Sequence, residues 1–296
     1  MGAADIVPGV SGGTVAFITG IYDTLLGSIR AFDLTCAKLI FRGEVRAAWE
    51  HVNGSFLLFL LLGIATSIIS LARVISWVLE THPVPLWAFF FGLILASALA
   101  LVRHVQGWNL PRALALAAGL GIAVGIALSP AASLGGGFAG VFLAGFLAIC
   151  AMILPGISGS FILVLLGMYS TVLTALKGFD IVFILVFACG AAAGLMCFSR
   201  LLHWLLARFH AATMALLTGF LGGSLLVVWP WKEVLTTTID RHGDLKPVQQ
   251  VPVLPDQFEV ITGQDPQILL CLALMVSGFT LVWLIDRRWG QTHPDS

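Results

Sequence analysis

The chain has 296 residues, of which 59% are hydrophobic and only 10% charged, with a mean hydropathy of +1.01. Soluble domains carry about a quarter charged residues, so this composition excludes an ordinary soluble fold. Fifteen basic and fifteen acidic residues cancel, which leaves no footprint for nucleic acid.

Apolar stretches long enough for about 30 Å of hydrocarbon recur along the chain and predict an all-α polytopic membrane protein. In chain order the predicted spans are 14–29, 55–79, 86–102 and 112–129, then 138–153, 157–176, 180–199, 211–229 and 267–286. Segment 30–53 mixes Arg30, Lys38, Arg42 and Arg46 with Leu34, Phe41 and Trp49, as an amphipathic interfacial piece does. Segment 232–266 is charged and Pro/Gly-containing and reads as an extramembrane loop. The N-terminus MGAADIVPG lacks the basic region of a signal peptide. The cysteines (Cys36, Cys150, Cys189, Cys197, Cys271) have no CxxC spacing and read as small core residues, and no histidine sits in a metal-binding pattern. Trp229, Trp231, Trp283 and Trp289 fall at span ends, as in an interfacial belt.

Two stretches stand out. PGVSGG at 8–13 recurs as PGISGS at 155–160. At this offset of 147, Pro8, Gly9, Ser11, Gly12, Gly20, Tyr22, Thr24 and Leu26 all find identical partners. Further on the offset becomes 127 and pairs Gly63 with Gly190, Arg73 with Arg200, Trp77 with Trp204, Gly92 with Gly219 and Ser97 with Ser224. Duplication of one unit explains both registers, with residues 1–130 as the first repeat and 138–296 as the second, together one membrane domain.

Basic residues set the orientation. With 30–53, Arg103, Arg112, Arg200, Arg208, Arg287 and Arg288 inside, 138–153 and 157–176 must form a re-entrant hairpin. Each repeat is then a broken helical hairpin plus three transmembrane helices. The odd number of full spans inverts the second repeat relative to the first. The second break follows an apolar stretch over 138–154, whereas the first follows only seven residues. That asymmetry is expected of a chain whose start lies downstream of the ancestral one.

Proline ends an incoming helix and glycine lets the backbone turn and approach a ligand. Broken backbone at membrane depth is tolerated only against protein or a wet cavity. The amides beyond each break therefore suit an anion, and phosphate fits them. The candidate phosphate-binding residues are Gly9, Ser11, Gly12, Gly13 and Thr14 at one break and Gly156, Ser158, Gly159 and Ser160 at the other. Ser11 and Ser158 are expected near helix N-caps. Arg73 and Arg200 join the candidates, because a cation within a span is costly and the guanidinium fork matches phosphate oxygens. Asp5 is the candidate for binding a coupling proton or sodium ion; Asp23 is a weaker one.

GAADIVPGVSGGTVAFITGIYD and ILPGISGSFILVLLGMY resemble the bacterial polyprenyl-phosphate transporters, a family first catalogued as a domain of unknown function. GLILASALALVR at 92–103 and GFLGGSLLVVWPWK at 219–232 extend the resemblance over most of the chain. The resemblance implies a flippase of the cytoplasmic membrane. Its substrate would be the lipid carrier undecaprenyl phosphate, moved from outer to inner leaflet for envelope glycan synthesis. Rocking of the halves would alternate access to the head group while the prenyl tail stays in lipid. No cofactor or metal is expected, and the partners are the carrier lipid, the bilayer and the coupling ion. Two alternatives remain open on the residues alone: a transporter of a small soluble anion, and a membrane lipid phosphatase. The phosphatase would need an acid/base or nucleophile constellation that the intramembrane residues do not offer.

Overall fold

The computed structural model describes residues 1–2, 12–105, 107–129, 137–239 and 245–289. The described chain is mostly helical. Among the described residues, four helices are long and apolar enough to cross a membrane, within Gly54–Leu71, Pro83–Arg103, Leu110–Leu128 and Ile181–Ser224. Shorter apolar helices cover Phe138–Ile153 and Ile268–Leu284. Phe59, Ile69, Leu114, Leu185 and Leu269 on these helices are exposed, as lipid-facing side chains are. This is a membrane protein. Its chain divides into two compact units, Met1–Ile75 with Ser133–Met214, and Ser76–Ala132 with Ala215–Ser296.

In the first unit, α1 (Gly12–Ile18) and α2 (Tyr22–Arg30) are joined through Gly20, whose φ of +72° makes the turn. Next, α3 (Leu34–Phe41) starts at Asp33, whose carboxylate accepts from the Thr35 and Cys36 amides, both at 2.9 Å. The Cys36 amide, aided by the nearby His51 ring, holds that carboxyl below its ordinary range. The following α4 (Val45–His51) packs Ala48 and the adjoining Val52 on Cys36, while Leu34, Phe41, Val45 and Trp49 stay exposed. Such an apolar face beside Lys38, Arg42 and Arg46 is what the interfacial reading of 30–53 requires. From there α5 (Gly54–Thr81) carries the chain into the second unit.

The other half of the first unit begins with α8 (Phe138–Ile153), after α6 (Pro83–His104) and α7 (Leu110–Leu128) of the second unit, and breaks at Leu154–Ser158. Beyond the break, α9 (Gly159–Leu165) folds back on α8, with Gly159 against the Ala148 carbonyl. A second glycine turn at Gly167, φ +65°, leads to α10 (Tyr169–Lys177). Val141, Ala144 and Ala148 of α8 then share one core with Leu163, Met168 and Val172. The pair α1 and α2 recurs in α9 and α10 with equal lengths, seven and nine residues, 147 positions later.

The long α11 (Ile181–Ser224) starts against α8, where Gly145, Gly190 and Gly194 let the two backbones meet. A Cβ at Gly190 would lie 2.1 Å from the Phe142 carbonyl oxygen. The expected span 180–199 does not end at Arg200: the helix runs on to a kink at Phe209, where φ is −133° and ψ 45°. Leu201, Leu202, Trp204, Leu205 and Leu206 continue the apolar pattern past Arg200, so nothing in that stretch breaks the helix.

The second unit holds α6 (Pro83–His104), α7 (Leu110–Leu128), the end of α11 and α13 (Ile268–Trp289). Its helices pack through glycine in a reciprocal pattern. Gly92 meets the Met275 carbonyl and Gly278 meets that of Phe89; Gly219 meets Leu116 and Gly119 meets Leu216. The loop after α11 is more ordered than expected. It forms an antiparallel pair, β1 (Lys232–Ile239) and β2 (Leu245–Pro252), then α12 (Pro255–Thr262). The β-branched run Val234, Thr236, Thr237, Thr238 and Ile239 favours extended backbone. Trp231 and Phe258 anchor this loop on Val84, Ala88 and Cys271, and the Trp231 indole donates to the Pro266 carbonyl at 2.9 Å.

Candidate functional site

The expected site positions that lie among the described residues all belong to the first unit. The break in the second hairpin is built as its sequence requires. Pro155 cannot donate a helical hydrogen bond, and Gly156 adopts φ +88°, a conformation that L side chains rarely take. The turned Gly156 amide donates to the Thr14 hydroxyl at 2.9 Å. Thr14 is fully buried, in the first turn of α1. This contact joins the first turn of α1 to the break after α8 through one polar pair. Close by, the Tyr22 hydroxyl donates to the Ile153 carbonyl at 2.9 Å, taking up a last-turn carbonyl of α8. The Phe17 ring meets Tyr22 edge-on at 5.2 Å.

Ser158 stands at the N-cap position of α9 with extended backbone, as expected, but it does not cap the helix. Its hydroxyl pairs with that of Ser160 at 2.8 Å instead. The two hydroxyls form a small polar surface at the entry of α9. The first helical bond there runs from the Ile162 amide to the Ser158 carbonyl, so the amides of Gly159, Ser160 and Phe161 precede the ladder. Both α1 and α9 have only seven residues. Turn amides and hydroxyls, more than a long-helix dipole, therefore set the polarity of the site.

Beside this polar cluster lies a cavity of about 110 Å³. Met1, Gly12 and Gly13 border it, facing Tyr22, Leu25, Leu26 and Ile29 of α2 and Met152 and Ile153 at the end of α8. Its lining is almost wholly apolar.

The remaining candidates are placed differently. Arg200 is exposed and donates to the Met196 carbonyl at 3.1 Å and to that of Phe32 at 3.2 Å, which ties α11 to the segment before α3. Those contacts do not join it to Ser158 or Thr14. Arg73 lies on α5, and its side chain falls outside the described residues, as do Asp5, Gly9 and Ser11 altogether. Asp23 is exposed in the first turn of α2. Among the described residues no three His, Cys, Asp or Glu converge as metal ligands do. Tyr22 was missed as a site residue, although its identity with Tyr169 across the repeat was a signal for it.

Comparison with known proteins agrees with this reading of the chain as a transporter. The family model described as undecaprenyl phosphate translocase-like matches residues 1–246. A polyprenyl-phosphate transporter of Vibrio cholerae serotype O1 is 48% identical over 287 residues, 97% of this chain and 93% of that protein. A polyprenyl-phosphate transporter of Staphylococcus aureus is 31% identical over 250 residues, 78% of this chain and 83% of that protein. No solved structure matches the chain. By the extent of these matches, the chain belongs to the undecaprenyl phosphate translocase-like family.

Proposed function

We propose that this protein transports a polyprenyl phosphate, of the undecaprenyl phosphate class, across the cytoplasmic membrane. Movement from the outer to the inner leaflet would return the carrier for envelope glycan synthesis. The observation that carries the substrate class is the similarity, over nearly the full length of both chains, to the polyprenyl-phosphate transporter of Vibrio cholerae. The local chemistry supports it. A phosphate monoester carries about −1.5 to −2 charges at pH 7 and presents acceptor oxygens. The hydroxyls of Thr14, Ser158 and Ser160 and the turn backbone at Gly12, Gly13, Gly156 and Gly159 can meet those oxygens. Gly9 and Ser11 complete the first break in this reading, Arg73 and Arg200 neutralise the remaining charge, and Asp5 binds the coupling proton or sodium ion. The apolar cavity beside the hydroxyls favours a lipid phosphate over a small soluble anion. The family's name as a translocase favours transport over lipid hydrolysis.

We also propose the inverted architecture, in which each repeat is a re-entrant broken hairpin plus three spans. The equal lengths of α1 with α9 and α2 with α10 support it. Helix packing in the second unit supports it too. Shifting Gly92 and Phe89 by 127 gives Gly219 and Leu216, and shifting Leu116 and Gly119 by 159 gives Met275 and Gly278. The contact between Gly92 and Met275 then maps onto that between Gly219 and Leu116, and Gly278–Phe89 maps onto Gly119–Leu216. A two-fold exchange of repeats generates such a pattern.

The test is reconstitution. Purified protein in vesicles should move polyprenyl phosphate between leaflets, with proton and sodium gradients applied separately and in both directions. Release of inorganic phosphate in place of movement would convert the assignment to a hydrolase. In cells that depend on this protein, Arg73→Ala or Ser158→Ala should leave carrier on the outer surface; normal recycling in both would refute the site.

A further inference from the structure

The cavity at the breaks is too apolar for the phosphate that the neighbouring groups invite. A bound water needs two to four polar partners, which this lining does not supply, so its suitable occupant is apolar. One wall is a single face of α2: Tyr22, Leu25, Leu26 and Ile29 recur at helical spacing, three and four residues apart. The opposite side is the end of α8, and at Gly12 and Gly13 no side chain fills the space. The polar groups begin where this lining ends. Thr14 follows Gly13 directly, and Gly156, whose amide binds Thr14, lies three residues beyond Ile153. An anion-binding cluster thus runs straight into an apolar slot. A phosphate bonded directly to a short branched hydrocarbon has the same layout.

We propose that the cavity is a subsite for the first isoprene unit of the carrier, so that the protein holds the phosphate-proximal end of the tail as well as the head. This rests on the transport reading above and sharpens it: the tail does not remain wholly in lipid during head-group transfer. A methyl-branched isoprene with a rigid double bond fills such a small apolar cavity while freezing few rotors. A linear alkyl chain of equal carbon count has more rotamer freedom to lose there. Recognition should therefore distinguish prenyl from alkyl phosphates, although their head groups are the same.

The experiment is competition on the purified full chain in detergent, with labelled undecaprenyl phosphate as probe. Farnesyl phosphate, pentadecyl phosphate and inorganic phosphate serve as competitors. Farnesyl phosphate should displace the probe at about tenfold lower concentration than pentadecyl phosphate, within the range a shaped apolar pocket discriminates. Inorganic phosphate should be the weakest. Leu25→Trp, which fills the slot, should bring farnesyl phosphate to the level of pentadecyl phosphate. Thr24→Trp, on the exposed face of the same helix, should keep the preference. Equal displacement by the two lipids in the unaltered protein overturns the subsite while leaving the transport reading intact. So does an undiminished preference in a folded Leu25→Trp protein. Should Leu25→Trp fail to fold, competition on the unaltered protein decides alone. Failure of the probe to bind at all overturns both proposals.

Discussion

Both units pack helices through glycine, Gly145, Gly190 and Gly194 serving the first, but among the described residues only the first also uses it to break apolar helical segments. In the second, Gly92, Gly119, Gly219 and Gly278 sit inside helices, each against the backbone of a facing helix. In the first, Gly20, Gly156 and Gly167 take positive φ and end helices. Close glycine packing brings long helices into contact in a membrane, where hydrophobic burial alone gives no preference for another helix over lipid. Broken helices instead expose amides and bring hydroxyls such as Thr14 and Ser158 to the turns. The second unit thus packs mainly as a scaffold, while the first adds hydroxyls and turned amides at its breaks, although each draws on both halves of the sequence.

The largest effect should come from adding side chains to the scaffold. A Cβ at Gly92 would lie 1.9 Å from the Met275 carbonyl oxygen, and one at Gly219 would lie 2.2 Å from that of Leu116. Gly92→Leu and Gly219→Leu should each cost more than about 4 kcal/mol and remove most folded protein, as read by size-exclusion chromatography and thermal unfolding in detergent. Similar losses in the two variants would sharpen the repeat proposal, and tolerance of either would break it.

The site unit should show the reverse balance, with activity lost before fold. Thr14→Val leaves the Gly156 amide without its acceptor, at a cost of about 1–3 kcal/mol, and should reduce transport at least tenfold in the vesicle assay. A smaller change is expected from Tyr22→Phe, which removes the bond to the Ile153 carbonyl for about 1 kcal/mol, seen as a lowered unfolding temperature.

A last effect, read as a slope with pH and not as a loss of activity, concerns Lys232, in the loop of the second unit. Burial pushes its ammonium down to about 7 from an ordinary 10.5. Nearby, the Trp87 ring at 3.7 Å and the Val227 carbonyl stabilise the charged form and temper that effect. The folded state holds fewer protons than the unfolded one between those values. The penalty is thus full below about pH 7 and gone above about 10.5, so stability should rise with pH across that window. Unfolding temperatures measured across that range should lose this slope in Lys232→Met; an unchanged slope would assign it to another group.

Much of this was legible in the sequence. Local identity across the repeat marked the break at Pro155 and Gly156, because Pro and Gly act on their own backbone whatever surrounds them. It also gave the matched helices around Gly20 and Gly167. What depended on partners distant in sequence was not legible. The Ser158 hydroxyl had an equally good local alternative in Ser160 and took it. The bond from Tyr22 to Ile153 spans 131 residues, so no pattern in either segment announces it. Arg200 resembled a helix end because charge is rare in spans. Yet the leucines after it sustain the helix, and the guanidinium is taken up by backbone carbonyls. In the 232–266 loop the polar composition masked a β-hairpin whose order comes from Trp231 and Phe258 packing on the helices.

The account turns on the hairpin unit holding the substrate, and photocrosslinking tests that directly. A polyprenyl phosphate carrying a diazirine on its first isoprene unit, irradiated with the reconstituted protein, should label peptides within 12–30 and 152–166. Competition by unlabelled undecaprenyl phosphate should remove that labelling, and Thr14→Val should weaken it. Specific, competable labelling confined to 83–128 and 215–289, with none on the hairpins, would contradict the account.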